Sequence, residues 1–588
     1  MPFHPPSWSP ELPHIPDSIS IERFMFDQNY GRHPLGYSEP PFTCGLTGKS
    51  YDAFQVKARV DHLARALTNE LGMKPHEGTE WDKVVGIFSM NTIDYLTAAW
   101  AVHRIGGVLT AVNAAYNEHE LEFQMKHSGC KAIFTCLPLL ETCKKGVKST
   151  GIPDGRVFIL PMAEQVTQGM SNPGHKTIND LIEAGSNLPH QAASDEKWDK
   201  GEGARRTAFL CYSSGTSGLP KGVMISHRNV IANTLQIITH EAPAREDFAW
   251  RNMVQTYTEN CLGLLPMSHI YGLIVMSHVG PQRGDGVIVL PKYDFKNLLQ
   301  CIQDHKISLL YLVPPMIIHL TKSGDIIKDY DLSSVTACFT GAAPLGKETA
   351  DQLQQMFPKW AIKQGYGLTE TATVVCATVP FDIWFGSSGS LIPGYTARLI
   401  TVEGNEITGY QQPGELVVKS PSVALGYLNN DKANLETFVD LEDGRYMRTG
   451  DEAMIDKGPK GHEHVFITDR IKELIKVKGM QVAPAELESH LLTHPAVNDC
   501  VVIGVPSDRE GEVPKAFVVK APGAIEDSDA IIKREIAKHV EKHKSNHKWL
   551  RGGVEFIDVV PKSPSGKILR RMLRDKEKEK MRKQGAKL

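Results

Sequence analysis

Between residues 84 and 345, short apolar runs alternate with segments of helical period. "KVVGIFSM" is followed by the helical "NTIDYLTAAWAVHRIG" and then by "GVLTAVN". "KAIFTC" precedes "LPLLETCKKG". "DGVIVLP" precedes "FKNLLQCIQDH", which precedes "SLLYLVPP", and "SSVTACFTG" precedes "KETADQLQQMF". Strand, helix and strand in this order predict a largely parallel sheet covered by helices. Ligands then belong in the loops at the carboxyl ends of the strands. After about residue 385 the strands shorten and glycines multiply, as in "PGELVVKS", which predicts a small antiparallel or barrel-like subdomain ending at residue 468. A second shift falls at Asp469-Arg470, where "PAELESHLLTHPAV", "DCVVIGVP" and "KAFVVK" mix helix and strand. The expected fold class is therefore α/β. A large N-terminal domain of parallel sheets with flanking helices (1–468) carries the barrel-like subdomain (about 385–468), and a short hinge leads to a small α+β C-terminal domain (469–575).

Composition narrows the function classes. The chain has 588 residues, is 41% hydrophobic and 23% charged, and carries a formal net charge of −3. These values suit a soluble globular protein and give no support to a nucleic acid or an anionic membrane as partner. The longest weakly polar run, "LTAAWAVHRIGGVLTAVNAAY", is broken by His103, Arg104 and two glycines. It predicts a buried helix, a turn and a strand, so no transmembrane segment is expected. The proline-rich start "MPFHPPSWSPELPHIP" lacks the pattern of a secretory signal, and the first forty residues offer no assignable chemistry. Ten cysteines without a C-x-x-C predict buried or inert thiols rather than a disulfide framework or zinc ribbon. Residues 576–588 form a basic tail ending in Ala586-Lys587-Leu588. That ending has the small-basic-Leu form of a peroxisomal address and predicts a peroxisomal import receptor as partner and the peroxisome as location.

The stretch "YSSGTSGLPKG", Tyr212 to Gly222, points to chemistry. "TAFLCY" before it reads as a strand, and "SHRNVIANTLQIIT" after it as a helix with Ser226 as N-cap. A glycine and hydroxyl loop between a strand and a helix offers N–H groups and hydroxyls to anionic oxygens, and Lys221 adds a point charge. The loop lacks the Walker pattern. "GLTGKS" (Gly45 to Ser50) has Thr43 where that pattern needs its first glycine, and "GYGLTE" fails G-x-G-x-x-G at its last position. "GHEHV" places His462 and His464 only two apart with no partner cluster, which reads as a solvated loop.

Five stretches in order make a resemblance specific: "YSSGTSGLPKGVMISH", "GYGLTET" (365–371), "YMRTGD" (446–451), "DRIKELIKVKGMQVAPAELE" (469–488) and "PKSPSGKILRR" (561–571). The chain resembles the adenylate-forming superfamily of acyl-CoA synthetases, 4-coumarate-CoA ligases, beetle luciferases and peptide-synthetase adenylation domains, from roughly residue 40 to 575. "PMSHIYGL" (266–273) and "KGMQVAPAELE" look most like 4-coumarate-CoA ligase-like enzymes. The resemblance implies two half-reactions. A carboxylate attacks the α-phosphate of MgATP to give acyl-adenylate and pyrophosphate, and coenzyme A then displaces AMP. The implied substrates and cofactors are thus a small-molecule carboxylic acid, ATP, Mg²⁺ and coenzyme A.

By the same resemblance Ser213, Ser214, Gly215, Thr216, Ser217, Gly218 and Lys221 wrap the β- and γ-phosphates, and Glu370 binds Mg²⁺. Thr369 meets the α-phosphate. Gln364, Gly365, Tyr366 and Gly367 flank the adenine, opposite Gly341, Ala342 and Ala343. Asp451 accepts the ribose hydroxyls and Arg470 serves the ribose or the hinge. Lys567 reaches both the attacking carboxylate and the α-phosphate, beside His269. The small domain of the family rotates between half-reactions, and the second orientation brings in Lys476 and Gln481. The acyl pocket falls near Tyr271, Gly272, Ala372, Thr373, Val374 and Gly394, mostly apolar positions that suit an aryl or medium-chain aliphatic acid. Carrier-protein loading is the runner-up within this chemistry, and the lack of a carrier domain after "SGKILRR" weighs against it. A luciferase-like oxygenation needs a particular substrate. A non-catalytic homologue would be expected to lack Lys567 or Glu370, and a kinase-like ATPase would be expected to carry a Walker loop.

Overall fold

The computed structural model describes residues 2–585 except 191–197, 214–219, 255–256, 479, 508, 525–527 and 564–565. Two large sheets carry the first four hundred residues or so. The seven-stranded sheet runs, edge to edge, Gly426–Tyr427, Lys221–Ser226, Thr207–Ser213, Val108–Val112, Val84–Phe88, Ala132–Thr135 and Val157–Ile159. Its five strands from Thr207–Ser213 onward pair in parallel, as the alternating strand and helix pattern predicts. The nine-stranded sheet has a parallel centre from Phe42–Cys44 through Gly286–Val289, Asn260–Gly263, Leu309–Leu312 and Ala337–Thr340 to Ala361–Leu368. Antiparallel strands Thr373–Ala377 and Ser390–Leu391 close one edge. Residues buried on both faces explain the near-continuous apolar runs, such as the fully buried Val84–Phe88.

The "YSSGTSGLPKG" loop departs from the strand-to-helix expectation. A second strand, Lys221–Ser226, pairs antiparallel with Thr207–Ser213 and intervenes before the helix. The stretch is therefore flanked by two paired antiparallel strands, with Ser213 and Lys221 directly opposite each other. The helix His227–Arg251 follows, and Ser226 caps it through a reciprocal bond pair with Asn229. The loop 45–49 likewise joins two antiparallel strands, unlike a phosphate-binding strand-to-helix turn.

Beyond residue 395 an antiparallel sheet of six strands includes Gly444–Lys457 and Glu463–Arg470. "GHEHV" is not a solvated loop: its histidines lie on or beside Glu463–Arg470. His464 is fully buried, and His462 and His464 meet Asp382 at 2.8 and 3.3 Å. A buried carboxylate needs such partners, which sequence spacing could not supply. The last sheet has five strands, chiefly Val497–Ser507 paired with Gly511–Lys520, and is covered by the helices Pro484–Leu491 and Asp529–His543. The N-terminal segment, silent in the sequence, contributes Ile21, Phe24 and Met25 to the main core and pairs Phe3 with Ala397. All ten cysteines are free and nine are buried. No described helix is long and apolar enough to cross a membrane.

Candidate active site

Three sheets and a loop of the small domain contribute to one cleft. Ser213, Lys221 and Tyr427 come from the seven-stranded sheet. Thr369 and Glu370 follow the strand Ala361–Leu368 of the nine-stranded sheet, at its carboxyl end. Asp451 and Arg470 stand opposite each other on paired strands of the six-stranded sheet. Lys567 comes from the small domain.

Glu370 is the point where these elements meet. Its carboxylate accepts from the Tyr427 hydroxyl at 2.8 Å and from the Ser213 hydroxyl at 3.4 Å. The Lys221 ammonium lies 4.7 Å from the centre of the Tyr427 ring. Both described ends of that stretch are thus tied to Glu370, directly or through Tyr427. Ser214, Gly215, Thr216, Ser217 and Gly218 lie outside the described residues. Tyr427 escaped the sequence reading because it sits 57 positions from Glu370 and carries no motif.

The second node is Asp451. The Tyr366 hydroxyl donates to it at 2.6 Å, and the Arg470 guanidinium stands at 3.6 Å. Burial pushes its carboxyl above the usual range, against the pull of Arg470 and Tyr366. Gly341 backs onto the Tyr271 ring and the Gly365 carbonyl, so "TGAAPL", "HIYGL" and "GYGLTET" converge. Gly341 is buried, Ala343 half-buried and Ala342 exposed with φ at +66°. The Gln364 side chain accepts from the Leu345 N–H at 3.2 Å and so braces that loop rather than opening to the cleft.

Lys567 enters between these nodes. Its loop is docked: a side chain at Gly566 would meet Val313 of the large domain at 3.0 Å. Desolvation and the neighbouring Arg470 cation lower the Lys567 pKa to about 8, while Glu370, Asp451 and Glu473 pull it upward. Glu473 is a second residue that the motifs did not reveal; it also pairs with Arg574. His269 borders the cleft half-buried, and desolvation, helped by the Lys567 charge, lowers its pKa to about 4. It is a neutral imidazole at neutral pH.

The residues expected to line the acyl pocket are tightly held. The Tyr271 hydroxyl donates to the Phe339 carbonyl at 3.0 Å, and Tyr271 opens a buried π-helix, Tyr271–Val279. π-helical turns are rare and gather at functional sites. Gly272 admits no side chain, since a Cβ would stand 2.4 Å from the Pro266 carbonyl. Ala372 and Thr373 hold φ of +52° and +122°, costly for a β-branched residue. The surroundings over-determine this turn. Thr373 donates its hydroxyl to the Ile270 carbonyl at 3.1 Å, and Asn233 brackets the Val374 backbone with bonds of 2.8 and 3.0 Å. A Cβ at Gly367 would collide with the Thr373 carbonyl at 1.5 Å.

Three expected residues are not brought to the cleft. Lys476 and Gln481 face each other across the hairpin Ile475–Val482 and point to solvent, because the small domain presents its Lys567 loop instead. Gly394 packs against Leu12 and Gln236 instead.

The AMP-binding enzyme model matches residues 40–428, and the AMP-binding enzyme C-terminal domain model matches residues 486–567. The chain belongs to the AMP-binding enzyme family. Acyl-CoA ligase easD of Emericella nidulans is 38% identical over 580 residues, which cover 98% of this chain and 100% of that one. Probable 4-coumarate--CoA ligase 1 of Dictyostelium discoideum is 34% identical over 535 residues, 90% of this chain and 91% of that one. The anthranilate CoA ligase AuaEII in complex with anthranoyl-AMP shares the fold at a TM-score of 0.79, with 22% identity over 96% of this chain and 98% of that one. ATP-bound MatB from Rhodopseudomonas palustris shares it at 0.75, with 24% identity over 95% and 99%. The enzyme is an AMP-forming acid–thiol ligase. It activates a carboxylic acid with ATP, through an acyl-adenylate, to the CoA thioester.

The lowered Lys567 pKa has a kinetic signature. Lys567 is a cation below about pH 8 and neutral above it. If the cation acts in adenylation, kcat/KM for pyrophosphate release falls as pH rises through that value, because kcat/KM reports the free enzyme. Arginine stays charged, so Lys567→Arg, where active, loses this alkaline limb. An unchanged limb in the arginine variant would assign the titration to another group.

Proposed function

We propose that the cleft is arranged for the adenylation half-reaction, with Lys567 as the group that joins the two reacting anions. The observation that carries this reading is the placement of Lys567 between Glu370, Asp451 and His269. In this reading Ser213 and Lys221, with the loop between them, hold the β- and γ-phosphates. Tyr366 and the Gly341–Ala343 turn enclose the adenine. Asp451, oriented by Tyr366 and Arg470, accepts the ribose hydroxyls. Thr369 bonds the α-phosphate. Neutral His269 positions the substrate carboxylate without competing with Lys567 for it.

Magnesium fits the donor set at Glu370, a carboxylate beside two hydroxyls, all hard oxygens. Bound there, it would neutralise phosphate charge. The residues of this chain supply the rest: they align the carboxylate with the α-phosphate, exclude water and stabilise charge as it spreads between the two. Lys476 and Gln481 serve the thioester-forming orientation, reached by rotation at Asp469-Arg470.

The substrate is an aryl or medium-chain aliphatic acid. Support comes from the fixed wall of Tyr271, packed edge-on to Phe339 at 6.0 Å and Tyr311 at 6.2 Å, and from the small residues Gly272, Ala372, Thr373 and Val374. The C-terminal Ala586-Lys587-Leu588, outside the described residues, acts as a peroxisomal address.

Three outcomes are expected. Lys567→Ala slows adenylation hundredfold to a thousandfold, a loss of about 2.7–4 kcal/mol, yet spares thioester formation from supplied acyl-adenylate. Equal loss of both half-reactions in single-turnover assays would refute its assignment. With MgATP, coenzyme A and a pool of aryl, short-, medium- and long-chain acids, mass spectrometry finds aryl or medium-chain acyl-CoA with matching AMP. Adenylates without thioesters would point instead to a carrier protein as acceptor. A fluorescent protein ending in the last twelve residues co-localises with peroxisomes and becomes diffuse once Leu588 is removed; equal distribution of both would dismiss the address.

A further inference from the structure

Four histidines gather on the small domain, away from the cleft. His490 lies near the end of the helix Pro484–Leu491, and His494 follows it by four residues. His539 and His543 are four apart on the helix Asp529–His543, so they share one face. The two helices pack against each other. The His490 and His539 rings stack at 4.2 Å, and His543 lies 5.2 Å from both. Nitrogen atoms of His490, His539 and His543, one from each ring, lie within 4.8 Å of one another.

Hydrogen bonds fix which nitrogen of each ring is free. The His539 carbonyl accepts from His490 Nε2 at 3.2 Å and from His543 Nδ1 at 2.9 Å. Carbonyls only accept, so both nitrogens carry their protons, leaving lone pairs on His490 Nδ1 and His543 Nε2. Thr493 gives its hydroxyl proton to the His490 carbonyl at 2.7 Å. It therefore accepts from His539 Nε2 at 2.9 Å, which leaves the lone pair on His539 Nδ1. Metal-bound histidines characteristically hold their second nitrogen in this way, against a carbonyl or another oxygen.

We infer that His490, His539 and His543 form a binding site for a zinc-type divalent transition ion that clamps the two helices. Three neutral imidazoles suit this class of ion, and water fills the fourth position. Zinc–nitrogen bonds of about 2.0–2.1 Å set donor separations near ~3.3 Å, so ion binding requires the His490 and His539 rings to turn out of their parallel stack until their free nitrogens converge with that of His543. All three ligands belong to one packed domain, so the site does not depend on domain orientation. The clamp bears on a helix that faces the hinge. The Ala485 N–H donates to Asp469 at 3.1 Å, and Ser489 lies against Gly346 of the large domain.

The test uses the full chain without an affinity tag, stripped with a chelator and titrated with Zn²⁺ by calorimetry and with Co²⁺ by visible absorption. One saturable equivalent is expected, with a Co²⁺ spectrum free of thiolate charge-transfer bands. His543 is exposed, so His543→Ala preserves packing, as circular dichroism verifies. Removing this ligand raises Kd at least as much as losing an outer partner does, about 10–100-fold. His490→Ala/His539→Ala abolishes the equivalent. Absence of one-equivalent binding, a thiolate band, or unchanged affinity in His543→Ala would overturn the site.

Discussion

The active cleft depends on bringing one lysine cation out of water without leaving it uncompensated. Lys567 is desolvated enough to drop its pKa to about 8, and it stays there because Glu370, Asp451 and Glu473 oppose the repulsion of Arg470. Those carboxylates come from separate sheets or from the hinge segment. The cation is thus stabilised only when large and small domains are docked, and undocking returns it to water. A buried charge held by distant partners makes the site sensitive to domain position.

Around that charge, neutral groups do the positioning. Tyr427 and Ser213 orient Glu370, and Tyr366 orients Asp451. Asn233 holds the strained Ala372–Thr373 turn from behind. Asn91 does the same for the segment before His269: its side chain meets the Gly263, Leu264 and Leu265 carbonyls and the Met267 N–H, the last at 2.8 Å. Fully satisfied side chains of this kind fix irregular backbone where no sheet can, and preorganised backbone is what a charge-stabilising site requires. Tyr271 follows the same rule, pinned by its hydroxyl at one end of a π-helix.

The sequence by itself determined the alternation of strand and helix over much of 84–345, since most of those elements are short apolar runs or amphipathic segments that read locally. Ser226 as a helix cap and the buried helix, turn and strand at 95–112 were legible for the same reason. The family was legible because five motifs occur in order. Tertiary structure alone decided what depended on partners remote in the chain. Ser213 and Lys221 stand opposite each other because Lys221–Ser226 finds Thr207–Ser213 as its antiparallel neighbour. His464 is buried because Asp382 reaches it across the fold, and Tyr427 joins the site because the edge strand places it beside Glu370. Lys476 faces solvent while Lys567 is enclosed, because one rigid domain can present only one of its faces to the cleft. No local periodicity encodes that choice: it is set by packing and charge between domains.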